Sequence, residues 1–323
     1  MKLSFDDIKN IVFGSEKTSQ GDYISFYRFS EKEKLAYSSS EGFTNKTYAT
    51  AGIRFDFYTD ASSISFDYKM IRASSRNFAI FDIYINGIFT DAITNLDVEA
   101  EFTDSYRKKL PEGKKRITIF LPNLYSMQIK NFVLEDATVL EPYEYKMKIV
   151  SYGDSITQGY DARFPSYSYI NQLSIKLDAF VYNKAIGGDI FRPDLLENKA
   201  FMPDIVTVAY GTNDWVKSSQ EEFSYNMRTF IKNIAMNYTT SKIFVITPIW
   251  RRDYDKTVPL GTLDEVVNAI SNECVKYSNI KVITGTDCLP HTDLLFSKDG
   301  VHPNDLGMLT YSSNLYKKIL SLL

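Results

Sequence analysis

The hydrophobic pattern of the chain changes period near residue 145, and that change limits it to two architectures in series. Before it, apolar residues alternate. Ile53, Phe55 and Phe57 alternate with Arg54, Asp56 and Tyr58, and Ile64, Phe66, Tyr68 and Met70 alternate with Ser65, Asp67 and Lys69. A period of two puts one set of side chains on a buried face and the other in water, as in antiparallel strands. Ile117, Ile119 and Leu121 repeat the pattern. Asn86-Gly87 lies between the runs Ile83-Tyr84-Ile85 and Ile88-Phe89 and signals a tight hairpin. Short strands at this spacing predict a jelly-roll-like β-sandwich as an accessory domain over residues 1–143. Both histidines of the chain lie outside it, and no catalytic residue types cluster in it. Its expected role is structural or substrate-orienting. Glu141-Pro142-Tyr143-Glu144-Tyr145 reads as the linker, with a proline where strand pairing should stop.

Beyond residue 145, strands alternate with helices. Ile149-Val150, Phe180-Val181-Tyr182, the run from Ile205 to Tyr210, the run from Lys242 to Ile246 and Lys281-Val282-Ile283 read as five strands. The third is apolar nearly throughout, as expected of a strand covered on both faces. Tyr169, Leu173 and Leu177 share a helical face. So do Phe223, Met227, Phe230, Ile231 and Ile234, then Leu263, Val266, Val267, Ile270 and Cys274. Leu306 to Leu322 reads as a closing helix. The expectation is a three-layer α/β/α domain with a parallel sheet over residues 146–323.

With 323 residues, the chain is long enough for two cores. A net charge of −3 without a basic cluster argues against a nucleic-acid partner. No stretch approaches the ~20 apolar residues of a membrane span, and Met1 to Asp7 lacks the apolar run of a signal peptide. Cys274 and Cys288 form no metal-ligand pattern and fit a reducing compartment. A cytoplasmic protein without metal or cofactor is expected.

Each of four strands leads into a polar block: Gly153-Asp154-Ser155, Asn183 to Asp189, Gly211-Thr212-Asn213-Asp214, and, after a long loop, Asp299-Gly300-Val301-His302. In a parallel sheet these loops share one edge and can meet around one pocket. Ser155 sits where a strand turns into a helix, beside the unpaired N–H groups of a first helical turn. That is the place of a nucleophile, although a Gly-Asp-Ser stretch alone is more often only a turn. The Asp299-to-His302 spacing lets the carboxylate hold one imidazole nitrogen while the other faces Ser155. His302 can then serve as general base and general acid. Alone, the same spacing would read as a capped helix with a surface histidine. His291 reads as structural. Candidate donors for an oxyanion are the N–H groups of Ser155 and Gly188 and the side-chain amide of Asn213, although alone Gly187-Gly188 would read as a plain turn and Asn213 as an Asx-turn.

These four blocks resemble the SGNH, or GDSL-type, hydrolase superfamily over roughly residues 146–323. The first block carries isoleucine where the family name has leucine, at a position that does no chemistry. The resemblance implies that Ser155 is the nucleophile, that Gly188 and Asn213 complete the oxyanion hole, and that Asp299 and His302 complete the triad. Gly188 follows from the family's spacing, with Gly187 the alternative. The preceding sandwich looks like the arrangement in some carbohydrate acetylesterases of the superfamily. The expected function is a serine esterase acting on short acyl groups, acetyl foremost, on a carbohydrate or other small-molecule ester. A lysophospholipase, lipase or thioesterase is the alternative, although no apolar lid or membrane-seeking helix stands out. A silent carbohydrate-binding protein is a weaker one, since the reactive set is whole. Trp215 and Trp250, the chain's two tryptophans, are expected to form a platform for a sugar ring, with Arg251 or Arg252 bonding its hydroxyls.

Overall fold

The alternating stretches become two antiparallel sheets in the computed structural model, which describes residues 1–96, 98–196 and 202–323. One sheet runs in the order Val12–Phe13, Arg54–Thr59, Lys115–Phe120, Phe78–Ile85, Ile88–Leu96. The other runs Lys17–Gln20, Ile24–Tyr27, Tyr125–Glu135, Ser63–Arg72, Glu101–Lys109. The alternation decides which face is inside: Ile64, Phe66, Tyr68 and Met70 are all buried. Phe66 meets Phe81 of the opposite sheet with ring centroids 5.9 Å apart, and Phe26 meets Phe55 at 5.4 Å. The hairpin forms as expected, Asn86 and Gly87 both taking positive φ, 51° and 78°.

The stretch expected to be a linker is tied down. Leu140–Pro142 adds a strand beside Arg54–Thr59, and Pro142, opposite Phe57, is its last paired residue. Asp56 is fully buried and accepts two 2.7 Å hydrogen bonds from the Arg116 guanidinium. The hydroxyl of Tyr145 donates to the same carboxylate. The Arg116 guanidinium also lies 3.3 Å from the Tyr143 ring centroid. A buried ion pair with aromatic cover therefore holds the chain through Tyr145.

Asp82, on the strand Phe78–Ile85, is another buried carboxyl. Burial pushes it up to about 7, against weaker lowering by hydrogen bonds from Ser166. From about pH 4 to 7 the unfolded chain has released a proton that folded Asp82 keeps. Stability from this group therefore falls as pH rises through that window, and the loss is complete above it.

The described chain divides into two units: Met1–Ser30, Ser40–Tyr145 and Phe164–Ser166 in the first, and Glu31–Ser39, Lys146–Arg163 and Tyr167–Leu323 in the second. The second is built on a five-stranded parallel sheet, ordered Ala179–Asn183, Met147–Gly153, Ile205–Ala209, Lys242–Ile246, Ile280–Ile283. The expected helices form as Tyr169–Lys176, Gln220–Asn237, Leu263–Cys274 and Asp305–Leu322. Their starts are fixed locally. Ser219 accepts from the Glu222 N–H, Thr262 and Glu265 form a reciprocal capping box, and Asn304 accepts from the Gly307 N–H. Ile170 and Leu173 pack with Leu315 and Ile319 and with Ile149 and Val181 of the sheet. Phe230 instead packs against Tyr152, Tyr210 and Phe191. In sequence order the strands run second, first, third, fourth, fifth. The connections therefore diverge between the first and third strands, and ligands of such sheets bind at the carboxyl ends there. Ser155 follows the first of these strands and Asn213 the third. Among the described residues no helix is long and apolar enough to cross a membrane.

Candidate active site

The first strand ends at Gly153, and Ser155 opens the helix Ser155–Gln158. Asp154 caps that helix, its Oδ1 accepting the Ile156 N–H at 2.9 Å. Burial pushes the Asp154 carboxyl up to about 6. The cap sets the turn, and the turn aims the serine. Ser155 Oγ lies 2.7 Å from His302 Nε2, and His302 Nδ1 lies 2.6 Å from Asp299 Oδ2. The other Asp299 oxygen accepts the N–H groups of Val301 and His302, at 2.9 and 3.0 Å. Partial burial raises the Asp299 carboxyl, but these hydrogen bonds outweigh it and bring it down to about 2. An ionised carboxylate can only accept, so the imidazole proton is assigned to Nδ1. Nε2 is then left to accept the proton of Ser155 Oγ.

Tyr160 stacks on the imidazole, with ring centroids 5.5 Å apart and planes 23° from parallel. Gly187 also lies against Tyr160, and a side chain there would meet Tyr160 ring atoms at 2.6 Å. Glycine is needed there for clearance.

The second-strand loop is stitched to the first. Asn183 Nδ2 donates to the Thr157 carbonyl at 2.8 Å, and the Ile186 N–H to the Gly153 carbonyl at 3.1 Å. The Gly187 N–H donates to Gln158 Oε1 at 2.7 Å, so that donor is taken. Gly188 follows with φ 86°, a conformation glycine adopts without strain. Its carbonyl accepts from Lys217 Nζ at 2.6 Å, while its N–H meets no acceptor among the described residues. Asn213 lies in the helix Thr212–Lys217 and donates one amide hydrogen to the Asp189 carbonyl at 3.1 Å. The other amide hydrogen remains for a ligand. Asp214 fixes the start of that helix, accepting the N–H groups of Gly211 and Phe191, each at 3.1 Å. Burial pushes its carboxyl up to about 7.

The aromatic platform does not form as expected. Trp215 is 1% exposed, its indole N–H bonded to the Gly261 carbonyl at 2.9 Å. The Arg251 guanidinium lies 5.1 Å from its ring centroid. Arg251 is buried too, holding Asp253 and Thr212, so it has little left for a sugar hydroxyl. Trp215 and Arg251 brace the fourth-strand loop from inside. Trp250 is half-buried, one face stacked on His291 at 5.9 Å and an edge against Phe296. His291 thus packs on Trp250 and Tyr254, far in role from the serine. A charged cleft of about 530 Å³ lies beside Asp299, lined by Arg252, Asp253, Asp255, Lys256 and Val301.

Asp161, Asp299 and His302 place one potential metal-ligand atom each within 4.8 Å of one another. Two of these three are already bonded to each other, and His302 has Ser155 on its second nitrogen. An ion would have to break that line. Cys274 and Cys288 are buried free thiols. Gln158 and Tyr160 escaped the sequence reading, because a polar or aromatic residue after a turn serine carries no periodic signal.

Residues 151–309 match the model of the GDSL-like Lipase/Acylhydrolase family. The carboxy-terminal domain belongs to the GDSL-like acylhydrolases. The protein is accordingly an enzyme of the ester-hydrolase class. No curated protein sequence matches the chain. Among solved structures, the chain is similar to the salicylyl-acyltransferase SsfX3 from a tetracycline biosynthetic pathway. There the TM-score is 0.79 at 20% identity, covering 96% of this chain and 94% of that one. It is also similar to a family two carbohydrate esterase from Cellvibrio japonicus, with a TM-score of 0.69, 14% identity and coverages of 98% and 96%. A third is a family two carbohydrate esterase from Clostridium thermocellum in complex with cellohexaose, at 0.67, 16%, 85% and 93%. At such identities the likeness is one of fold.

Proposed function

We propose that the protein is a serine esterase that removes short acyl groups, acetyl foremost, from a carbohydrate or similar polyol. The observation that carries this is the hydrogen-bonded line from Ser155 through His302 to Asp299. Ser155 Oγ gives its proton to His302 Nε2 as its bond to the ester carbonyl carbon forms. The oxyanion is held by the N–H groups of Ser155 and Gly188 and the free amide hydrogen of Asn213. Collapse breaks the bond to the leaving alcohol, which takes the proton from His302. Water then repeats the steps on the acyl-serine, yielding the acid and free Ser155.

The charged cleft beside Asp299 supports a hydroxyl-rich alcohol. The carbohydrate esterases among the similar folds point the same way. The two buried thiols fit work in a reducing compartment, such as the cytoplasm. The similarity to an acyltransferase favours a second reading, in which an alcohol rather than water takes the acyl group from Ser155. The test is hydrolysis of p-nitrophenyl acetate against the octanoate, then acetate release from acetylated xylo- and manno-oligosaccharides, with Ser155→Ala as control. Octanoate preference, or activity surviving in Ser155→Ala, would overturn the proposal. Acyl transfer to added sugars exceeding hydrolysis would favour the second reading.

A further inference from the structure

Tyr37 and Asp189 are 152 positions apart, yet both belong to the parallel-sheet unit. Tyr37 is 1% exposed and its hydroxyl donates to Asp189 Oδ2 at 2.8 Å. Tyr210 donates to the same oxygen at 3.4 Å. Arg192 donates to Asp189 Oδ1 at 3.0 Å and to the Ala36 carbonyl at 3.1 Å. Four residues before Tyr37, Glu33 faces inward from the helix Glu31–Leu35, its carboxylate 2.7 Å from a buried Lys184 Nζ.

Lys184 and Asp189 flank the turn that holds Gly187 and Gly188. The Asp189 carbonyl also receives the Asn213 amide. Buried ionic groups gain little net stability over apolar packing, but removing one partner leaves the other charge buried and unpaired, so each holds its partner in place. A Gly-Gly turn is the most easily deformed backbone. An oxyanion donor acts only when it is already in place. We infer that Glu31–Ser39 is a positioning element of the acyl-transfer site. Glu33 and Tyr37 hold the two ends of the turn, and through them the Gly188 N–H and the Asn213 amide. This rests on the reading of Gly188 and Asn213 as oxyanion donors.

Full-length Tyr37→Phe and Glu33→Gln test it, since both keep side-chain volume. Hydrogen exchange in residues 184–192 and the kinetics of p-nitrophenyl acetate hydrolysis are measured on each. Exchange in that segment should quicken in both variants. The value of kcat should fall about 10- to 10²-fold with KM within about twofold, because a displaced donor acts in the transition state. A role in folding alone would lower the thermal midpoint and leave kcat of the folded protein unchanged. Unchanged exchange, or wild-type kcat with a loosened turn, overturns the inference. If the wild type neither hydrolyses p-nitrophenyl acetate nor takes an organophosphonate on Ser155, the ester reading fails, and exchange alone judges the buttress.

Discussion

Replacing Asp299 by asparagine should be more damaging than replacing it by alanine. Asp299 Oδ1 is held by the N–H groups of Val301 and His302, at 2.9 and 3.0 Å. In Asp299→Asn those two donors select the amide oxygen for that place and turn the NH₂ toward His302 Nδ1. Nδ1 must then accept, which moves the ring proton to Nε2, the nitrogen 2.7 Å from Ser155 Oγ. The base would donate where it has to accept. Flipping the amide restores the Nδ1 bond but aims NH₂ at two backbone donors, forfeiting two hydrogen bonds of ~1 kcal/mol each and leaving both donors unpaired. The wrong tautomer therefore dominates, and kcat should fall by about 10⁴, or ~5.5 kcal/mol at 1.36 per decade. Asp299→Ala selects neither tautomer, so some rings still present a free Nε2. The expected order is wild type, then Asp299→Ala, then Asp299→Asn. Initial rates on p-nitrophenyl acetate, normalised by phosphonate titration of Ser155, give the ranking. Nitrogen NMR of the imidazole gives the tautomer. An Asp299→Asn enzyme as active as Asp299→Ala, or within about tenfold of wild type, would refute the reasoning.

Asn213→Ala should lower kcat by roughly 10²–10³ with little change in KM, and equal kcat values would make Asn213 a turn residue only. Gly187→Ala must push the Tyr160 ring aside, a clash that costs about 1–3 kcal/mol. It should therefore lower both the melting midpoint and kcat, and an unaltered kcat would remove Tyr160 from the support of His302. Asp82→Asn should abolish stability loss on the order of 4 kcal/mol between about pH 4 and 7, from a three-unit rise at 1.36 kcal/mol each. Chemical denaturation at both ends of that window checks it, and parallel wild-type and variant curves would show that Asp82 does not keep its proton.

Periodicity made most of the fold legible. The strands and helices of the parallel-sheet unit fall where apolar spacing put them, because each buries a continuous stripe or run. That Ser155, His302 and Asp299 would come together was legible for a related reason: polar blocks at the ends of parallel strands must share an edge. Trp215 was misplaced by the same logic. It does follow the third strand, but the helix Thr212–Lys217 turns it inward, and the indole N–H finds its acceptor at Gly261. Sequence spacing gives the edge on which a residue sits and says nothing of which way a short helix rotates it. Glu33 and Tyr37 were illegible because their partners lie some 150 positions away, at 151 and 152. No local pattern encodes such a pairing.

The charged cleft beside Asp299 bears on the lipase alternative without the tryptophans. The cleft beside Asp299 presents Arg252, Asp253, Asp255 and Lys256. Laying an acyl tail across them would strip water from charged groups and return no hydrogen bond, a loss of several kcal/mol for each group left unpaired. A polyol can replace that water bond for bond. Arg252 illustrates the point: its Nε holds Asp293 and one terminal nitrogen holds the Lys298 carbonyl, at 2.9 and 3.0 Å. A guanidinium carries five N–H donors, so several remain for hydroxyls. Removing that charge by Arg252→Met should raise KM for acetylated oligosaccharides and leave p-nitrophenyl acetate hydrolysis near wild type, because the small ester has no hydroxyls for the guanidinium to bond. Equal effects on both substrates would place the sugar elsewhere.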